Sequence, residues 1–203
     1  MDKNFVVLMM GYTGSGKSTV AKKLAENISC DLYHSAVIRK ELGFKFSKKA
    51  AEDDFFLLTS KKRESMDKKV YAKLAEKCKK SLTNEKNVII DAGHFFKWQR
   101  ENIYEKVKDL SPELFIIKVE CPKNIILKRL KTRKNQFSKS EFNETPSIKA
   151  YESSKIVTED PEEDILPNKK KPTIIKYNSY TKDINVNTQI LNNNLNKIVN
   201  VLK

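Results

Sequence analysis

Six consecutive apolar residues, Phe5 to Met10, run directly into Gly11-Tyr12-Thr13-Gly14-Ser15-Gly16-Lys17-Ser18-Thr19, which has the spacing G-x-x-x-x-G-K-[ST]. Three of the chain's five glycines fall in this one stretch. Glycine lets the backbone wrap so that successive N–H groups point inward at phosphate oxygens, the lysine reaches the β- and γ-phosphates, and the Ser18 hydroxyl is placed to ligate Mg²⁺. A phosphate-binding P-loop is therefore expected, built from Gly11, Thr13, Gly14, Ser15, Gly16, Lys17, Ser18 and Thr19. Val20, Ala21, Leu24, Ala25 and Ile28 recur at helical spacing, so a helix is expected from Lys17 to about Ile28 with its N-terminus facing the phosphates.

The rest of the chain alternates. Strands are expected at Phe5–Met10, Asp31–Ser35, Asn87–Asp91, Leu114–Glu120 and Thr173–Asn178, apolar and β-branched as in strands buried on both faces. Between them, Val70, Leu74, Cys78 and Leu82 form one helical ladder and Ile103, Val107 and Leu110 another. Pro122 opens a helix carrying Ile126, Leu127 and Leu130, and Leu191, Leu195, Ile198 and Leu202 share one face of a last helix. Strands separated by helices imply an α/β fold with a parallel sheet and helices on both sides. At 203 residues, one domain spanning 1–203 is expected. Lys131 to Thr145 is polar and reads, with its flanks (about 131–146), as a lid over the nucleotide. Glu159–Asp164 and Lys169–Pro172 read as a surface connection.

The apolar runs are far shorter than the roughly 18 residues a membrane span needs, and the N-terminus lacks a signal-peptide design. A soluble cytoplasmic protein with no membrane partner is expected, its three cysteines reduced because no C-x-x-C is present. A net charge of +14 and a pI near 9.5 favour a polyanionic partner. Lys48-Lys49 and Lys61-Lys62-Arg63 are the clusters best suited to meet one, although lysine and asparagine are abundant throughout.

Asp91 closes a strand, where ligands gather in open α/β sheets, so Ser18 and Asp91 together are the expected metal-binding pair. His94 lies within reach of a substrate there. Arg39 follows a strand expected to end beside the P-loop, and its guanidinium can grip an anionic acceptor in bidentate fashion. Arg129 and Arg133, four apart at the entrance to the lid, are placed to swing onto a triphosphate.

Taken in order, the P-loop, Ser35-Ala36-Val37-Ile38-Arg39-Lys40-Glu41-Leu42, Asp91-Ala92-Gly93-His94-Phe95 with Arg100 nine residues on, Glu120-Cys121-Pro122, Arg129 to Arg133 and Ile148-Lys149-Ala150-Tyr151 resemble the small P-loop kinases of the AAA_33 type. These group with polynucleotide kinase, gluconate kinase, zeta-toxin kinase and chloramphenicol phosphotransferase. The resemblance implies a five-stranded parallel sheet in the order 2-3-1-4-5, a lid after the fourth strand, and transfer of the ATP γ-phosphate to a hydroxyl, with Lys17, Arg39, Asp91, Arg129 and Arg133 as catalytic residues. Two positions depart from the pattern. Where the family has an aspartate acting as general base, this chain has Ala36, and its Asp91-Ala92-Gly93 stands where many members read Asp-Ala-Thr. An engineered or recent change, a loss of activity, and replacement of the base by His34, Asp91 or water all remain open. The expected function is a Mg-ATP-dependent kinase, with a polynucleotide 5′-hydroxyl slightly favoured as acceptor. A small sugar, nucleoside or antibiotic is nearly as well supported, and a transfer-RNA-linked serine is a further candidate. The alternative is a nucleotide-binding module without transfer.

Overall fold

Strand β1 (Phe5–Met10) is buried at every residue because it lies inside the sheet with helices over both faces. The computed structural model describes residues 3–44, 61–134, 148–188 and 192–203. Around β1 the strands β2 (Cys30–His34), β3 (Asn87–Asp91), β4 (Glu113–Glu120), β5 (Thr173–Asn178) and β6 (Ile184–Val186) stand in the order β2-β3-β1-β4-β5-β6. The first five are parallel and reproduce the expected 2-3-1-4-5 order; β6 pairs antiparallel with β5 and makes the sheet six-stranded. Sequence reasoning missed β6 because Ile184-Asn185-Val186 is too short to show a period of its own.

Seven helices are described: α1 (Lys17–Asn27), α2 (Ser35–Glu41), α3 (Lys61–Thr83), α4 (Lys97–Val107), α5 (Lys123–Lys134), α6 (Ile148–Val157) and α7 (Asn193–Leu202). Alternation along β1 divides the core. Val6, Leu8 and Met10 join the α3 ladder Val70, Leu74, Cys78 and Leu82 together with Ile103 and Val107 of α4. Phe5, Val7 and Met9 face the other way, onto Val20, Ala21 and Leu24 of α1 and Leu195, Ile198 and Leu202 of α7. The side chain of Asn192 accepts the Leu195 N–H at 2.8 Å and so starts α7. A smaller cluster of Ile126, Leu130 and Tyr151 closes under the P-loop, with Tyr12 packed against it.

Three further expectations need correction. Leu110 lies in a 3₁₀ turn after α4 and is exposed, so that ladder ends at Val107. β2 ends at His34, so Ser35, expected as its last residue, opens α2 instead. The segment Glu159–Asp164 is not a surface connection throughout, since Pro161 and Asp164 are buried and Asp164 is wholly inaccessible. Residues 135–147, most of the expected lid, and Leu191 and Lys48-Lys49 lie outside the described residues.

Candidate active site

The loop after β1 does what its glycines allow. Gly11, Gly14 and Gly16 all take positive φ, and a Cβ on Gly11 would lie 2.4 Å from the Val119 carbonyl oxygen, so the loop passes against the end of β4 at a distance that only glycine permits. Gly16 in the left-handed region caps α1 and turns the helix N-terminus toward the loop. Ser15 N–H donates to the Tyr12 carbonyl at 3.0 Å, and the Lys17 ammonium donates to the same carbonyl at 3.0 Å, which folds the lysine over the loop. Thr13 is half-buried beside it, while Ser18 and Thr19 open α1 and are exposed.

Behind the loop, Arg129 of α5 donates through Nη1 to the carbonyls of Gly14 and Ser15 and to Ser179 Oγ, each at 3.2 Å. Ser179 in turn donates to the Ser15 carbonyl at 2.5 Å. Arg129 thus ties the Gly14 and Ser15 carbonyls of the loop to α5. Arg133 lies in the last turn of α5. Ser179 was not anticipated. Its signal is its place just past the carboxyl end of β5, beside the other strand ends that build the site.

Across the sheet, Asp91 is 7% exposed at the end of β3, in register with Met9 of β1 and His34 of β2. It does not cap the next helix, which begins at Lys97. His34 Nδ1 donates to Asp91 Oδ2 at 2.9 Å, and Ser18 is hydrogen-bonded to the same carboxylate. Burial pushes the Asp91 carboxyl up, but the hydrogen bonds from His34 and Ser18 and the Lys17 charge outweigh it and hold the group below its ordinary value. A serine hydroxyl and an ionised carboxylate in mutual contact form the hard-oxygen donor set that suits Mg²⁺. The structure thus brings Ser18 and Asp91 together, with His34 as the residue that orients the carboxylate.

His94 is fully buried, with φ 50°, and its Nδ1–H donates to the Met9 carbonyl at 2.8 Å. A carbonyl can only accept, so Nε2 carries the lone pair, and it has no partner among the described residues. Burial drives the imidazole down to about 4. The unfolded chain, with an ordinary histidine near 6.5, then binds the proton more readily than the fold does, so stability present above pH 6.5 drains away as pH falls toward 4. The loss is on the order of 3 kcal/mol by the lower limit. Urea unfolding at stepped pH checks this: His94→Gln should flatten the profile across that window relative to the unsubstituted protein.

The loop after β3 is held by a buried ion pair. Arg100, wholly inaccessible on α4, donates from Nε and Nη2 to the two oxygens of Asp164 at 2.6 and 2.7 Å and from Nη1 to the His94 carbonyl at 2.9 Å. Tyr104 donates to Asp164 Oδ2 at 2.8 Å. Arg39 is 7% exposed on α2, and Ala36 lies one turn before it. Arg63, read from sequence as part of a surface lysine cluster, is buried and paired with Asp67, so it is not an exposed phosphate contact. Among the described residues no group of three or more histidine, cysteine or acidic side chains is placed to hold a metal, no helix is long and apolar enough to cross a membrane, and none of the three cysteines is in a disulfide.

The AAA_33 family, described as an AAA domain, matches residues 6–151. The chain belongs to the AAA_33 family. That places it among kinase-like P-loop NTPases, with the match running from β1 to Tyr151 on α6. Protein KTI12 of Saccharomyces cerevisiae is 27% identical over 139 residues, 63% of this chain and 40% of that protein's length. The chain thus spans well under half of that relative. Among solved structures, Chaetomium thermophilum Kti12 in complex with ADP-AlF3 superposes with a TM-score of 0.62 at 16% identity, covering 97% of this chain and 95% of that one. A gluconokinase from Sinorhizobium meliloti gives 0.55 at 13% identity over 100% of this chain and 93% of that one. At these identities both likenesses speak to the fold.

Proposed function

We propose that this AAA_33 protein transfers the γ-phosphate of Mg-ATP to a hydroxyl group. The carrying observation is the junction of the P-loop with the end of β3, where Ser18 on α1 meets the Asp91 carboxylate and the Lys17 charge acts on that same group. ATP is the natural occupant: Kti12 of Chaetomium thermophilum, the same fold, was solved with ADP-AlF3.

Each residue then has a task. The loop's backbone N–H groups other than that of Ser15, which stays on the Tyr12 carbonyl, cradle the phosphates, and Lys17 leaves that carbonyl to meet the β- and γ-phosphate oxygens. Ser18 and Asp91 would hold Mg²⁺, which neutralises charge on the phosphate oxygens when bound. His34 fixes the Asp91 carboxylate, and Arg129 keeps the loop in shape from behind. Arg39, at the acceptor side, and Arg133, at the end of α5, supply positive charge near the transferring group. Transfer of this kind depends mainly on positioning and electrostatic stabilisation, both of which this site offers.

For the acceptor, the net charge of +14 keeps a polynucleotide 5′-hydroxyl in view, while the burial of Arg63 takes the arginine out of one of the clusters that favoured it over a small sugar or nucleoside. The test is transfer of label from γ-labelled ATP to gluconate, ribose, adenosine, serine and a 5′-hydroxyl oligonucleotide. Labelled product with any of them supports the reading. Tight Mg-ATP binding with no labelled product would make the protein a nucleotide-binding module instead.

A further inference from the structure

A hydroxyl that attacks phosphorus must lose its proton, and a positioned carboxylate is the usual recipient. On α2, the buried face that follows β2 carries Ser35, Ile38 and Arg39, and its one acidic residue, Glu41, is exposed and paired with Lys77. The recipient has to come from elsewhere. Among the described residues three carboxylates are buried: Asp67, Asp91 and Asp164. Asp164 accepts from Arg100 on both oxygens and from Tyr104. Asp91 is engaged by His34 and Ser18 on the phosphate side. Asp67 is different. Arg63 Nε donates to its Oδ2 at 2.9 Å, while Oδ1 is buried and accepts no hydrogen bond from the described residues. A charged oxygen left so is costly unless a ligand completes it.

Topology places this oxygen at the right end of the molecule. α3 leads into β3 and runs against its direction, so the first third of the helix lies toward the carboxyl edge of the sheet. Tyr71, one turn beyond Asp67, accepts the His94 N–H at 3.2 Å, and His94 is three residues past Asp91. The charges of Asp67, Arg39 and Arg63 all bear on the Tyr71 hydroxyl, which ties the three to one locality between α2, α3 and the loop after β3.

We propose that Asp67 is a catalytic residue that receives the acceptor's hydroxyl proton, a role that rests on the phosphotransfer reading above. As the hydroxyl oxygen forms its bond to the γ-phosphorus, the bond from that phosphorus to the β–γ bridging oxygen breaks and ADP leaves with the electron pair. The proton passes to Asp67 Oδ1 and from there to water. Arg63 fixes the carboxylate's orientation, and Ala36 needs no replacement on its own helix.

The test uses the same γ-labelled ATP and acceptors, with unsubstituted protein, Asp67→Asn, Asp67→Glu and Ala36→Asp, each checked for cooperative thermal unfolding and for affinity toward a fluorescent ATP analogue. Asp67→Asn should lower acceptor-dependent kcat by at least about 100-fold, with ATP affinity within about threefold. Asp67→Glu should stand between the two. If Asp67→Asn does not fold, the decision passes to Asp67→Glu, whose kcat must fall below that of the unsubstituted protein. A kcat for Asp67→Asn within about threefold of the unsubstituted protein, a fully active Asp67→Glu, or an Ala36→Asp gain of about tenfold or more overturns the assignment and leaves phosphotransfer standing. No labelled product from the unsubstituted protein with any acceptor overturns both.

Discussion

Lys17→Ala should reduce ATP-dependent phosphate transfer to background. The lysine is the one side-chain cation that the P-loop itself presents to the phosphates, and removing a preorganised charge that meets developing negative charge costs about 10²–10³-fold even for a single neutral donor. A full positive charge facing several phosphate oxygens is worth more. Because Lys17 donates to the Tyr12 carbonyl in this structure, the substitution also removes a contact within the loop, so the fold must be checked by thermal unfolding. Initial rates with γ-labelled ATP, beside ATP-analogue titration, separate lost chemistry from lost binding. Turnover equal to that of the unsubstituted protein would refute the site.

The second large effect is on stability. Among the described residues, Arg100→Ala leaves the buried Asp164 carboxylate with the Tyr104 hydroxyl alone, and breaking a buried pair from one side costs about 3–5 kcal/mol. Urea unfolding at neutral pH measures it. A double substitution, Arg100→Met with Asp164→Leu, removes both charges and should recover much of the loss, since no uncompensated carboxylate remains. If the single and double variants are equally unstable, the network matters through the His94 and Glu159 carbonyls that Arg100 also binds, at 2.9 and 3.3 Å, and not through the ion pair.

These two residues show what a linear reading captures. Lys17 is legible because its chemistry is local: a strand, a glycine turn and a helix start are consecutive, and backbone geometry alone creates the phosphate cradle. The parallel strands were legible for a similar reason, since burial on both faces writes itself as unbroken apolar runs such as Phe5–Met10 and Asn87–Asp91. Arg100 was picked out by its spacing from Asp91, but its partner lies 64 residues away in a stretch whose acidic composition reads as surface. Burial of a charge is decided by what meets it, and no pattern in Glu159–Asp164 announces that meeting. Arg63 and Asp67 illustrate the same limit within one helix. Their separation of four residues allows a pair, yet only the approach of α2 and the loop after β3 turns that pair inward.

The short antiparallel strand at the end of the sheet bears on how the protein behaves in a crowded solution. β5 would otherwise present six residues of unpaired backbone at the sheet's rim, an invitation to a strand from another molecule. β6 covers Ile175 to Tyr177, and beyond it Asn187 accepts the Ile174 N–H through its side chain at 2.8 Å and donates its own N–H to Ile174's carbonyl at 3.1 Å. What remains open at this edge is the far side of a three-residue strand, too short to template extended pairing. The feature that the sequence concealed is thus a terminator for this edge of the sheet, opposite the one that β2 forms.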